Sequence, residues 1–299
     1  MMETGIILIN KPEDVRSTDC VTEIRKKLKI KTGHAGTLDS TASGLLIILT
    51  GNATRLSEYI MSLPKIYYAS IKLGSETDTC DYSGKIINES EFNYKNNISE
   101  KNIDDELYNF RGMILQTPPE ISALKINGKP SYKLARSGAE IKILPRPVMV
   151  YEIARVSELN NGIFKLKIKC GKGTYIRSIA RDLGRKLGCY AHIKSLERFS
   201  IGNFDINQAD ENKNENKKIE LKQLINNFNN FVLSAEDALK FSHGINIPVK
   251  NALKFNSGIS NLICVTCEDN DENNENKNNL FGFAEIHNKK LKPVANIFL

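Results

Sequence analysis

The longest unbroken apolar run in this sequence, Leu45 to Leu49, is five residues long, where a membrane-spanning helix needs ~20. Such a chain must assemble its core from several short elements. Gly5–Asn10 (GIILIN) reads as one buried strand, stopped by the Lys11-Pro12 break, and Leu45–Leu49 reads as another. Between them, Ser17 or Thr18 is the expected N-cap of a helix carrying Val21, Ile24 and Leu28 at helical spacing. A Gly- and Thr-rich loop is expected from Thr32 to Gly44.

A length of 299 residues suits one large domain with a smaller one, or two comparable ones. Hydrophobic residues at 40% and charged residues at 26% allow a real core and exclude wholesale disorder. Six scattered cysteines do not make a disulfide scaffold. The N-terminal MMETGIILINKPED has neither a basic n-region nor a small-residue cleavage site, so the chain reads as cytoplasmic and free of membrane segments. The formal charge of +7 is mild, but its placement is informative. From Ile163 to Phe199, ten basic residues stand against two acidic ones, a net +8 in 37 residues. Arg25, Lys26, Lys27, Lys29 and Lys31 form a second cluster. Such patches fit a phosphate-backbone partner, and they fit solvated helix faces equally well.

Farther along, Ala53–Met61 reads as a short helix, and Tyr67, Ala69, Ile71 and Leu73 alternate with Tyr68, Ser70 and Lys72 as a strand does. Strands are expected near 121–126, 147–157 and 163–170, with helices near 99–109 and 130–137. The clearest helix is Thr174–Leu187. Ile176, Ile179, Ala180, Leu183 and Leu187 form its apolar stripe, and Gly188 stands at C′. Arg177, Arg181 and Arg185 recur on another face, which predicts a row of guanidinium groups facing RNA or solvent. The polar stretch 209–218 reads as a linker, and residues 219–299 as a small β-rich domain of short strands.

Several chemistries are excluded. Gly171-Lys172-Gly173-Thr174 lacks the earlier glycine of a phosphate-binding loop, since position 166 is Leu. Cys264 and Cys267 form a C-x-x-C pair without a second ligand pair and lie within an apolar strand pattern, which disfavours zinc. There is no zinc-deaminase pattern and no G-x-S-x-G elbow. What remains is Gly33-His34-Ala35-Gly36-Thr37-Leu38-Asp39-Ser40-Thr41-Ala42-Ser43-Gly44, where glycines bracket one carboxylate and one imidazole. Taken alone, Asp39 suits a turn as well as catalysis. A carboxylate can attack a sugar anomeric carbon, provided a cation keeps it ionised.

The segment GHAGTLDSTASGLL followed by GNATRLSEY resembles the signature of the TruB family of tRNA pseudouridine synthases. The resemblance extends to Asn10-Lys11-Pro12, Lys65-Ile66-Tyr67-Tyr68-Ala69, Thr77-Asp78-Thr79-Cys80-Asp81 with Gly84, Thr117-Pro118-Pro119, Ser122-Ala123-Leu124-Lys125, Arg146-Pro147 and Cys170 to Gly184. These blocks run in family order over about residues 5 to 200. Two departures stand out: Ser40 replaces a usual Pro, and Asp14 a frequent Gly.

The resemblance implies an α+β pseudouridine-synthase fold: a mixed, largely antiparallel central sheet flanked by helices, plus a small β-rich, PUA-like C-terminal domain. It implies a catalytic domain over 1–208, the linker 209–218 and an RNA-binding domain over 219–299. By resemblance, Asp39, Tyr67 and Arg177 are catalytic, and His34 enters the folded RNA loop. Lys11, Arg55, Lys172, Tyr175 and Leu196 are further candidate RNA contacts. The implied reaction converts uridine 55 in the T-loop of tRNA to pseudouridine, by a monomer using no metal, nucleotide or organic cofactor. Two other readings remain open: a guide-RNA-dependent catalytic subunit, and a tRNA-binding protein without catalysis.

Overall fold

A computed structural model of the chain describes residues 4–90, 98–122, 125–126, 129–130, 143–209, 218–219, 221–251, 254–256, 262–268 and 278–296. The chain divides into two compact units. One comprises Met1–Asp39, Gly44–Leu63 and Ile201–Leu299, the other Ser40–Ser43 and Pro64–Ser200.

The first unit is built on the two apolar runs. β1 (Gly5–Lys11) and β3 (Ala42–Thr50) pair antiparallel, with Ile6 opposite Leu49 and Ile9 opposite Leu46. Side chains alternate between sheet faces. Ile7, Ile9, Leu46 and Ile48 therefore pack on Cys20, Val21 and Ile24 of α1 (Ser17–Leu28). Ile6, Leu8, Leu45, Ile47 and Leu49 build a larger core on the other side. With both faces covered, no position asks for a polar residue, so each run reads as continuous in sequence. Each such aliphatic side chain contributes ~1.5–3 kcal/mol by leaving water.

Two details of this region differ from expectation. Neither Ser17 nor Thr18 caps α1, because Arg16 takes the N-cap position and makes no side-chain cap hydrogen bond. The loop is also shorter than expected. β2 (Thr32–His34) pairs with residues 48–50 and β3 begins at Ala42, leaving only residues 35–41 irregular. The expected helix at 53–61 forms as a 3-10 turn, Gly51–Leu56, that continues into α2 (Ser57–Ser62).

The C-terminal part of this unit adds β13 (Phe204–Asp205) and β14 (Lys218–Ile219), the latter pairing with β1. A mixed sheet follows: β15 (Asn229–Leu233), β16 (Ile247–Pro248), β17 (Lys254–Asn256), β18 (Leu262–Glu268), β19 (Asn278–His287) and β20 (Lys290–Asn296). Its order is β16-β20-β19-β18-β15-β17, with β15 and β18 parallel. Ile263, Val265, Cys267 and Ala284 on one face cluster with Ala238 and Phe241 of α5 (Ala235–Ser242). Leu262, Cys264 and Phe283 on the other face join the core of β1 and β3. Cys264 and Cys267 thus face opposite ways, and their thiols do not converge on one ion. Of the expected linker at 209–218, residues 210–217 lie outside the described residues.

The second unit centres on a sheet of order β12-β4-β11-β10-β7. Its strands are β4 (Lys65–Leu73), β7 (Gly112–Gln116), β10 (Arg146–Arg155), β11 (Ile163–Cys170) and β12 (Ala191–Ile201). Ala69, Ile71, Val148, Val150, Phe164, Leu166 and Ile168 are buried on one face. There they meet α3 (Glu100–Leu107), capped by Ser99, and α4 (Ile176–Lys186). Between β4 and α3 lies a hairpin of β5 (Ser75–Thr77) and β6 (Ile86–Glu89). Of the strand expected near 121–126, residues 125–126 form β8 (Lys125–Ile126), paired with β9 (Lys129–Pro130), and residues 123–124 lie outside the described residues. The helix expected near 130–137 lies, from residue 131 on, outside the described residues. The architecture is α+β with a β-rich C-terminal sheet.

Candidate active site

In the first unit, the Asp39 loop is fixed through its backbone. After His34 the chain leaves β2, and Ala35 N–H donates to Ile47 O at 2.9 Å. One hydroxyl then clamps the residue before Asp39: Ser17 Oγ donates to Leu38 O at 2.8 Å and accepts from Leu38 N–H at 2.9 Å. This long-range role takes Ser17 away from capping its own helix. The side chain of Leu38 is buried while Asp39 is exposed. The geometry anchors the main chain and leaves the carboxylate reachable. His34, half-buried at the end of β2, has its carbonyl tied to Ser57 Oγ at 3.0 Å. Arg55 is exposed in its 3-10 turn.

Lys11 departs from expectation. Its side chain is 0% exposed, and Nζ donates to Pro12 O at 2.7 Å and Val15 O at 2.8 Å. The ammonium is a staple for the turn after β1 rather than a group presented to a phosphate. A buried ammonium needs such acceptors close by. The same turn explains the Asp14 departure. Asp14 has φ of 61°, the left-handed region that favours Gly and that Asp tolerates better than most residues.

In the second unit, Tyr67 is half-buried on β4, opposite Ile168 and on the same sheet face as Ala69 and Ile71. Arg177 lies in the first turn of α4, whose N-terminus is held on that face by Gln116. The Gln116 amide accepts from Tyr175 N–H at 2.8 Å and donates to Tyr175 O at 3.0 Å. Arg177 is 6% exposed, and its Nη1 donates to Thr79 O at 2.8 Å and Ile121 O at 3.1 Å. The same nitrogen lies 3.8 Å from Asp81 Oδ2.

Asp81, 4% exposed, accepts from Thr79 Oγ1 at 2.8 Å, Ser83 Oγ at 2.6 Å and Ser83 N–H at 3.0 Å on one oxygen. Its other oxygen accepts from Thr41 Oγ1 at 3.3 Å. The turn that builds this nest closes over Gly84, where a Cβ would collide with Thr79 Oγ1 and Asp78 Oδ1. The two carbonyls and the hydrogen-bonded carboxylate fix the direction of the guanidinium. In sequence, Asp81 stands out only within the segment Thr77-Asp78-Thr79-Cys80-Asp81. Its signal is the Thr79-x-Asp81-x-Ser83 spacing, which suits a side chain bonding its own turn.

Of the remaining candidates, Tyr175 is half-buried at the α4 N-cap and Lys172 is exposed in the turn before it. Leu196 is buried on β12 and packs rather than facing solvent. The expected row of outward guanidinium groups on α4 does not form. Arg181 is buried, donating to Thr117 O at 2.8 Å and to Asp182 Oδ1 at 2.8 Å. Arg185 makes a two-pronged contact with Glu76, at 2.9 and 2.6 Å. Glu76 is 1% exposed, and a buried carboxylate requires such a partner. The structure thus places His34 and Asp39 at the two ends of one loop in the first unit. In the second unit, Tyr67 and Arg177 stand on one side of a sheet.

Comparison with known proteins agrees with these motifs. Residues 24–176 match the family described as TruB family pseudouridylate synthase, N-terminal domain. Residues 177–239 match the tRNA pseudouridylate synthase B C-terminal domain. A tRNA pseudouridine synthase B of Borreliella afzelii is 44% identical over 218 residues, 72% of this chain and 76% of the relative. One of Staphylococcus saprophyticus is 42% identical over 213 residues, 70% of each chain. Among solved structures, a chain of a Cbf5-Nop10-Gar1 complex shares the fold at a TM-score of 0.70 and 21% identity, covering 99% of this chain and 84% of that one.

Proposed function

The chain belongs to the TruB family of pseudouridylate synthases, and from that premise we propose that it isomerises uridine 55 in the T-loop of tRNA to pseudouridine. A base in a folded loop must be flipped out before its glycosidic bond can be handled, at a cost of a few kcal/mol. Stacking on Tyr67 and backbone contacts from exposed cations such as Arg55 and Lys172 offset that cost. His34 enters the loop vacated by the base.

Asp39 is the reactive carboxylate. It attacks C1′ of the ribose or removes the C2′ proton, and on either route the uracil leaves through N1 carrying the bonding pair. The freed base rotates and rebonds through C5 to C1′, as the Asp39–C1′ bond breaks or, on the second route, as C2′ regains its proton. The C5 proton is then lost while N1 gains one, so the reaction is an isomerisation that needs no external oxidant or reductant. Arg177 supplies a fixed positive charge for the reaction.

The observation that carries this reading is the retention of Asp39, Tyr67 and Arg177 within the family blocks, with Arg177 buried and held rigid by Thr79 and Ile121. Because C5 loses its proton, tRNA tritiated at that carbon reports turnover directly. Wild-type protein should release tritium without added cofactor, and Asp39→Asn should bind tRNA yet lose turnover by about 10⁴-fold or more, the scale for removal of a covalent catalyst. Release by Asp39→Asn at the wild-type rate would sink the assignment.

A further inference from the structure

We propose that the second unit carries another RNA-contact surface, on the face of its sheet opposite Tyr67, which takes a strand of the substrate tRNA outside the T-arm. This rests on the tRNA reading above. The face is defined by the register. On β11, the buried Phe164, Leu166 and Ile168 point to the helices, so Lys165, Lys167 and Lys169 point the other way. They lie opposite Ser70, Tyr68 and Ile66 of β4.

Aromatic and apolar groups flank this lysine row. Tyr68 meets Phe199 edge-to-face, with centroids 5.7 Å apart and planes at 85°. On the far side, Met113 pairs with Met149 and Leu115 with Pro147, and Met113, Leu115 and Tyr151 stand exposed, Leu115 at 76%.

Three features make RNA the occupant. Alternate residues on a strand lie about 6.6 Å apart, a repeat comparable to that of successive phosphates along an extended nucleic-acid strand. Among the described residues, Lys165 and Lys167 have no ion-pair partner, and Lys169 only reaches an exposed Glu152 at 3.7 Å. Cations interleaved with rings suit backbone tracking with base stacking. A second copy of the chain meeting this face about a two-fold axis would set lysines against lysines, which like-charge repulsion opposes. The opposite face, with Tyr67, serves the flipped nucleotide, so the strand on the lysine row belongs to another part of the RNA. This also re-sorts the basic segment seen in sequence. On α4, Arg177 and Arg181 are buried and Arg185 is engaged by Glu76, whereas Lys165 and Lys167 of β11 carry no ion pair among the described residues.

The test uses the full chain with Lys165, Lys167 and Lys169 all changed to Gln, and separately Tyr151→Ser. Affinity for whole tRNA and for a synthetic T-arm hairpin is measured across a salt series, alongside tritium release from both. The triple variant should bind whole tRNA about tenfold more weakly at low salt. Its slope of log affinity against log salt should fall by about 3. Hairpin kcat and KM should stay at wild-type values, which also reports an intact fold. Tyr151→Ser should weaken whole-tRNA binding with the slope unchanged. Wild-type affinity and slope in the triple variant would overturn the proposal, as would an equal loss on the hairpin. Absence of tritium release by the wild type from either RNA would instead overturn the catalytic reading, and the salt slopes would still decide the surface.

Discussion

Lys65, at the start of β4, is almost wholly buried opposite Cys170. Burial, with Arg198 and Lys172 adding positive charge nearby, pushes its pKa down to about 8. Below that pH the folded protein bears the full cost of an enclosed cation. Between about 8 and the unfolded value near 10.5, the unfolded chain binds more protons, so stability rises with pH across that window. The upper limit of the gain is roughly 3 kcal/mol. The Cys189 thiol, raised by burial to about 11, acts in the opposite sense above the ordinary thiol value of 9.0. Comparison with Lys65→Met removes that common background. Urea unfolding at about pH 7 and about pH 9.5 should show the variant without the Lys65-dependent rise. The same rise in the variant would mean that other groups cause it. Ser17 teaches a related lesson. Its position just before a helix signals a cap, yet its hydroxyl holds Leu38 from twenty-one residues away.

At the scale of elements, α4 shows how a correct local reading can carry a wrong surface. The apolar stripe and the Gly188 stop are as the spacing predicts, with Gly188 at φ of 71°. The arginine positions were equally plain, but whether they meet water or Thr117 and Glu76 depends on strands far away in sequence. Gly184 of the same helix faces the start of β12. A Cβ there would collide with the backbone of Tyr190 and Ala191, which cannot swing aside as a side chain could. Gly184→Ala should therefore destabilise the protein by about 1–3 kcal/mol despite alanine's higher helix propensity. Chemical denaturation measures this, and a variant as stable as wild type would show that the helix can shift outward freely.

At the scale of the whole chain, the first unit is discontinuous. Ile6, Leu8, Leu45, Ile47 and Leu49 share a core with Leu221, Leu224, Phe228, Leu262 and Phe283. A chain ended after residue 208 would strip one face of the β1–β3 pair of its cover and expose a contiguous apolar patch. Such a truncation should be insoluble or bind a hydrophobic dye strongly, as solubility and dye fluorescence would report. A soluble, cooperatively folding 1–208 fragment would refute the shared-core account. The polar run at 209–218 suggested a boundary because composition reports a break in the chain, not which parts share a core.

The sequence by itself determined the short buried strands, the alternation of β4, the helices of the arginine segment and the family blocks around Asp39, Tyr67 and Arg177. Each of these is local periodicity or a local motif, set by which face of one element is apolar. Only the tertiary structure decided that Lys11 is a buried staple, that Asp81 stands beside Arg177 and that the α4 arginines are buried or paired with Glu76 while Lys165 and Lys167 of β11 carry no ion pair among the described residues. Those outcomes depend on burial and on partners tens of residues away. A charge in sequence has no face until the sheet gives it one.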